Sequence, residues 1–184
     1  RRQRQMCIRD RPMSGTTLRL TCDHLTFNSL IPYDTNGDGT KTGTGFLVLI
    51  NDTPVILTAH HVVSNAVRIT TTSPRLANGE ARTLHVVGYN PHLDVAMLRG
   101  PEDVMGLPPY VPAPASQLSP KHPVTCVGFA GGSLRKHTTS GTVSGRNEFP
   151  HNRIQIDAVV NPGNSGGPVL DATTNRVIGL SLIH

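Results

Sequence analysis

Apolar residues run along this chain in short stretches separated by turn chemistry, never at the three-to-four spacing of a long helix. Gly45-Phe46-Leu47-Val48-Leu49-Ile50 is followed by the turn-forming Asn51-Asp52-Thr53 and by Pro54-Val55-Ile56-Leu57-Thr58, which predicts a β-hairpin. Further strands are expected over 66–71, 83–89, 95–98, 124–129, 139–144, 153–157, 168–170 and 176–183. Many brief strands at such spacing predict an all-β protein built from barrels. Seven of the fifteen prolines fall between Pro101 and Pro123, and Pro108-Pro109-Tyr110-Val111-Pro112-Ala113-Pro114 can sustain neither a helix nor a central strand. Residues 106–120 therefore read as a linker between an N-terminal barrel, 12–105, and a C-terminal barrel, 121–184.

Composition agrees with this pattern: aromatics make up 4% of the 184 residues, Trp is absent, and Gly (18) and Pro (15) are plentiful. The formal charge of +5 would invite a nucleic-acid or membrane-surface partner. Much of it sits in Arg1-Arg2-Gln3-Arg4-Gln5-Met6-Cys7-Ile8-Arg9-Asp10, however, a string that resembles the translation of a sequencing-library transposon adapter. Residues 1–11 are accordingly expected to be foreign to the fold. Five Arg and one Asp leave with them, so 17 basic and 12 acidic residues become 12 and 11, and the expectation is no nucleic-acid partner. Cys22 and Cys126 remain, too few for a disulfide framework. No apolar run approaches the roughly 18–20 residues of a membrane-spanning helix.

Asn161-Pro162-Gly163-Asn164-Ser165-Gly166-Gly167-Pro168 packs glycines around one serine. Glycines let a backbone turn sharply and bring N–H groups close to a substrate carbonyl, so Ser165 is a candidate nucleophile, with the amides of Gly163 and Ser165 as candidate oxyanion donors. An ordinary Gly-Ser turn has the same composition. A serine nucleophile needs a base and an orienting carboxylate. His60 and His61, in Leu57-Thr58-Ala59-His60-His61-Val62-Val63, follow a predicted strand, and Asp94, in His92-Leu93-Asp94-Val95-Ala96-Met97-Leu98, opens another.

Thr44-Gly45-Phe46, Leu57 to Val63, Asp94-Val95-Ala96, Ser140-Gly141-Thr142-Val143-Ser144, Gln155 through Pro168 and Val177-Ile178-Gly179 together resemble the chymotrypsin-like double-barrel peptidases, and within them the HtrA/Deg family of serine proteases. The resemblance runs from Gly43 to Gly179. It implies a double antiparallel β-barrel whose second barrel continues past His184 with a further strand, so the sequence is expected to be incomplete at its C-terminus, as the adapter-like start implies for its N-terminus. In the family's Thr-Ala-x-His pattern the catalytic imidazole is the fourth residue, which selects His61. The implied catalytic set is His61, Asp94 and Ser165, with Gly163 and Ser165 as the oxyanion hole.

The resemblance carries further implications. Val159, six positions before Ser165, would sit at the base of the primary pocket, with Ser181 and His184 modulating it, and would favour small or medium apolar residues before the scissile bond. Asn164 stands where digestive relatives carry the Asp that binds a newly cut N-terminus, which points to activation by loop ordering instead. Polypeptide substrates, a homo-oligomer, a PDZ module in flanking sequence and, for a bacterial source, an extracytoplasmic site are the accompanying expectations. A viral polyprotein-processing protease and a catalytically silent binding domain are the rivals; the intact His61, Asp94 and Ser165 argue against the second.

Two side signals carry less. Asp34-Thr35-Asn36-Gly37-Asp38-Gly39 matches the first half of a calcium loop, but Gly45 stands at the closing position where a bidentate Glu is required, so a polar turn is expected. Phe129-Ala130-Gly131-Gly132-Ser133 lacks the lysine and helix of a phosphate loop and reads as a plain loop. No metal and no cofactor are expected.

Overall fold

The computed structural model describes residues 15–24, 39–73, 75–76, 79–113, 118–147 and 153–182. The adapter-like segment, Asp34 to Asp38 of the half calcium loop, and His184 lie outside the described residues.

Eleven strands are described: β1 (Thr17–His24), β2 (Thr40–Ile50), β3 (Thr53–Ala59), β4 (Ala66–Thr72), β5 (Arg82–Asn90), β6 (Val95–Arg99), β7 (Pro123–Gly128), β8 (His137–Asn147), β9 (Arg153–Ile156), β10 (Pro168–Asp171) and β11 (Val177–Leu180). The first six close into an antiparallel barrel in the order β1-β2-β3-β6-β5-β4; the rest form an open sheet, β11-β10-β7-β8-β9. The protein is thus a nearly all-β double-barrel fold, one barrel closed and the second sheet curled with β9 and β11 as its edges.

The predicted hairpin forms with a tighter turn than expected. Asn51 and Asp52 take positive φ (48° and 60°), as a two-residue turn requires, and Thr53 joins β3 opposite Ile50. Strand β1 was not expected from sequence, although Leu18, Leu20 and Cys22 alternate and all three are fully buried inside the first barrel.

Strand β2 is buried on both faces from Gly43 to Val48. Leu47 points into the first barrel with Leu18, Leu20 and Ile56. Phe46 and Val48 point outward and pack with Tyr110, Val127, Leu170 and Val177 between the sheets. Within the second sheet, Val124, Cys126, Val143, Val169 and Ile178 form a third cluster. A strand sandwiched in this way has no freedom to shift, and it is β2 that meets the loop carrying Ser165.

The Pro-rich stretch is stitched down. Tyr110 N–H donates to Leu47 O (2.8 Å), Leu49 N–H donates to Tyr110 O (3.2 Å), and Val177 N–H donates to Val111 O (3.0 Å). The Tyr110 ring meets Phe46 edge-on with centroids 6.1 Å apart, and its hydroxyl bonds Thr17 Oγ1 at 3.0 Å. Isolated bridges Val48–Tyr110 and Pro112–Val177 tie the segment to both sheets, a pairing that needs only alternate N–H groups and so tolerates proline.

Candidate active site

Strand β3 stops at Ala59, and His60–Val63 forms one helical turn, α1. Val62 and Val63 are buried against the first barrel, and this leaves the two histidines at the start of the turn. Where strand alternation would send the two rings in opposite directions, a helical turn separates them by about 100° per residue. His60 stacks on Tyr89, with centroids 5.1 Å apart and planes 20° from parallel. His61 turns to Asp94.

Asp94 closes the turn before β6 with φ 56°, a left-handed conformation that Asp tolerates better than bulkier residues. It is 7% exposed. His61 Nδ1–H donates to its Oδ2 at 2.6 Å, the His61 backbone N–H donates to its Oδ1 at 2.8 Å, and its own carbonyl accepts from His60 N–H at 3.1 Å. Both carboxylate oxygens thus face the turn that carries His61, and the bond to Nδ1 fixes the ring's orientation.

Ser165 lies in the loop that leads into β10, 7% exposed, beside the 2%-exposed Asn164. The loop is seated on the first barrel. Thr44 N–H donates to Ser165 O at 3.0 Å. Gly166, with φ 85°, lies so close that a side chain there would collide with Thr44 O, Thr58 Oγ1 and, at 2.7 Å, Ala59 N. Ala59 immediately precedes His60-His61, so the Ser165 loop and the His61 turn meet at the same point between the sheets.

The peptide planes around Ser165 have their carbonyls occupied. Pro162 O accepts from Gly131 N–H (2.6 Å); Asn164 O accepts from Gly167 N–H (2.9 Å) and Ser181 Oγ (2.7 Å). In a trans peptide the N–H points opposite to the C=O, so the Gly163 and Ser165 amides face away from those partners. Among the described residues neither amide has a protein acceptor. Gly163 has φ 94°, and a side chain on it would strike Phe129 O.

An open cavity of about 520 Å³ lies between the edges β9 and β11, lined mostly by apolar residues including Leu93, Ile154, Ile156, Val160, Ile178 and Leu180. Ser181 borders it, but its hydroxyl is committed to Asn164 O and its backbone bonds Gly166 and Gly167. Val159, expected at a pocket base, is 63% exposed and outside this lining; its neighbour Val160 lines the cavity. Among the described residues no group of three or more His, Cys, Asp or Glu could hold a metal ion, and no helix is long and apolar enough to cross a membrane.

The family profile described as Trypsin-like peptidase domain matches residues 43–180. The chain belongs to the trypsin-like peptidase domain family. Within it the similarity is to HtrA-type proteases. A probable periplasmic serine endoprotease DegP-like of Chlamydia trachomatis is 34% identical over 145 residues, covering 76% of this chain and 27% of the relative, and the serine protease Do-like HtrB of Bacillus subtilis is 34% identical over 143, covering 71% and 30%. Among solved structures, the HtrA-type protease AlgW with tripeptide superposes with TM-score 0.70 at 23% identity, over 92% of this chain and 51% of AlgW, which shows the shared double-barrel fold. The chain thus matches less than a third of the length of these curated relatives.

His61, Asp94, Ser165 and Gly163 stand out in the sequence as candidates, whereas Thr44, Thr58 and Gly131 carry no such mark. Thr44 was visible only as part of Thr44-Gly45-Phe46, because its partners are 85 and 119 residues away.

Proposed function

We propose that this chain is the proteolytic domain of an HtrA-like serine endopeptidase that cleaves peptide bonds through an acyl-enzyme. Ser165 Oγ attacks the scissile carbonyl carbon while His61 Nε2 takes the hydroxyl proton. The carbonyl oxygen becomes an oxyanion held by the Gly163 and Ser165 amides. The C–N bond then breaks, His61 returns the proton to the departing amine, and water repeats the sequence in reverse to release Ser165 and a free carboxylate. Asp94 stays ionised throughout, keeping the proton on Nδ1 and stabilising the imidazolium.

The observation that carries this proposal is the two-oxygen hold of Asp94 on His61, at 2.6 and 2.8 Å, beside a serine loop whose flanking carbonyls are all turned to protein donors. The mainly apolar cavity beside β11 fits a small or medium apolar residue ahead of the scissile bond. Polypeptides are the proposed substrates, since the strand edges β9 and β11 that border the cavity, unpaired among the described residues, can take up an extended segment.

A peptide library incubated with the protein and mapped by mass spectrometry tests both parts. Cleavage after small and medium apolar residues, absent from Ser165→Ala and His61→Ala, is the expected result. Cleavage that persists in Ser165→Ala, or that follows Lys or Arg, would contradict it.

A further inference from the structure

Gly163 is the most freely rotating residue of the proposed oxyanion hole, and it lacks a side chain to hold its φ of 94°. Something outside the loop must therefore define where its amide points. Three successive carbonyls are held: Pro162 O by Gly131 N–H, Gly163 O by Thr44 Oγ1 (2.6 Å), and Asn164 O by Gly167 N–H and Ser181 Oγ. Of these donors only Thr44 belongs to the first barrel.

The Thr44 hydroxyl bonds in both directions. Its one proton goes to Gly163 O, and its oxygen accepts from Phe129 N–H at 3.0 Å. Phe129 leads into the tight turn Ala130–Gly132, whose Gly131 N–H is the donor that holds Pro162 O. A single hydroxyl thus ties together both segments that set the 162–163 peptide plane. Thr44 itself is 0% exposed, its N–H holds Ser165 O, and its carbonyl accepts from Thr58 Oγ1 at 2.8 Å. From the same barrel, Arg19 Nε donates to Gly132 O at 3.2 Å and steadies the far side of the turn.

We infer that Thr44 is a positioning residue, whose buried hydroxyl on the first barrel holds the oxyanion loop of the second sheet in the orientation that catalysis needs. This rests on Ser165 being the nucleophile. Without the hydroxyl, Gly163 O and Phe129 N–H lose their common partner, and the glycine backbone is free to rotate its amide out of the hole.

The test uses the protein expressed from its own gene, with whatever sequence that gene carries on either side. Wild type is compared with Thr44→Ala, with Thr44→Ser, which keeps the hydroxyl, and with Thr17→Ala, which removes a buried hydroxyl bond elsewhere in the first barrel. Rates are taken well below each variant's melting temperature and expressed per active site, counted by burst titration. A fold that is merely weakened loses active sites without changing the rate of those that remain. The expected result for Thr44→Ala is a fall in kcat per site of about 100-fold, the scale of a misplaced reacting group, with KM little changed. Affinity for a peptidyl boronate, which forms a tetrahedral adduct, falls in parallel, whereas affinity for the cleaved product peptide stays the same. Thr44→Ser and Thr17→Ala keep kcat near wild type. An active wild type with unchanged kcat per site in Thr44→Ala, or an equal loss in Thr17→Ala, overturns the inference alone. A wild type without Ser165-dependent hydrolysis removes the proposed function and this inference with it.

Discussion

Asp94 grips His61 at two points, Oδ1 on the backbone N–H at 2.8 Å and Oδ2 on Nδ1 at 2.6 Å. An amide at position 94 can accept from the backbone N–H with its oxygen, but its NH2 then faces Nδ1 and drives the proton to Nε2. Asp94→Asn is expected to lower kcat by about 10⁴-fold through this wrong tautomer. Asn tolerates the φ of 56° as well as Asp does, so the thermal melt should move little. Kinetics and a melting curve on one preparation check both halves.

Gly166 and Gly131 both have positive φ, 85° and 64°, but only Gly166 is crowded, by Thr44 O, Thr58 Oγ1 and Ala59 N. Nothing lies within 4 Å of a side chain added at Gly131. Gly131→Ala is expected to cost about 1–2 kcal/mol for the left-handed backbone alone. Gly166→Ala adds the collision and should cost more, with loss of activity as the Ser165 loop lifts from the first barrel. Urea unfolding of the two variants measures the difference.

Cys22 and Cys126 are buried and unpaired. Burial pushes the Cys22 thiol up to about 12, against a weaker opposing pull from Lys41, and the Cys126 thiol up to about 11. Thiolate is the reactive form, so neither should be alkylated by iodoacetamide at neutral pH until denaturant is added. Peptide mapping after labelling with and without urea reads this site by site.

Asp157 receives the backbone N–H and the hydroxyl of Thr142, and these bonds hold its carboxyl below the ordinary 3.8. A carboxylate lowered on folding stabilises the protein above its unfolded pKa, and that contribution is lost as pH falls through the folded value. Wild type should therefore be more stable than Asp157→Asn at neutral pH, and the gap should close on acidification below about 3.9. Urea midpoints across an acid series provide the check.

Local chemistry made much of the fold legible. Asn51-Asp52 announced the hairpin, and alternating or continuous apolar runs located ten of the eleven strands. β1 escaped because Arg19, Thr21 and Asp23 dilute a run whose only apolar members are Leu18, Leu20 and Cys22. The helical turn at His60 escaped because it is made by tertiary packing of Val62 and Val63, in a segment of β-branched residues that propensity assigns to strand. At the site, the residues proposed to carry chemistry stand out in the sequence by type. Thr44, proposed to position them, does not: a threonine whose partners are 85 and 119 residues away looks like any other strand threonine.

The most direct measurement is mass-spectrometric mapping of a fluorophosphonate probe on the native protein, run beside His61→Ala and denatured wild type. A single phosphonyl adduct on Ser165, formed only by the folded protein and strongly suppressed in His61→Ala, is the result expected of a Ser165 activated by His61. An adduct on another serine, or equal labelling of Ser165 in His61→Ala, would contradict it.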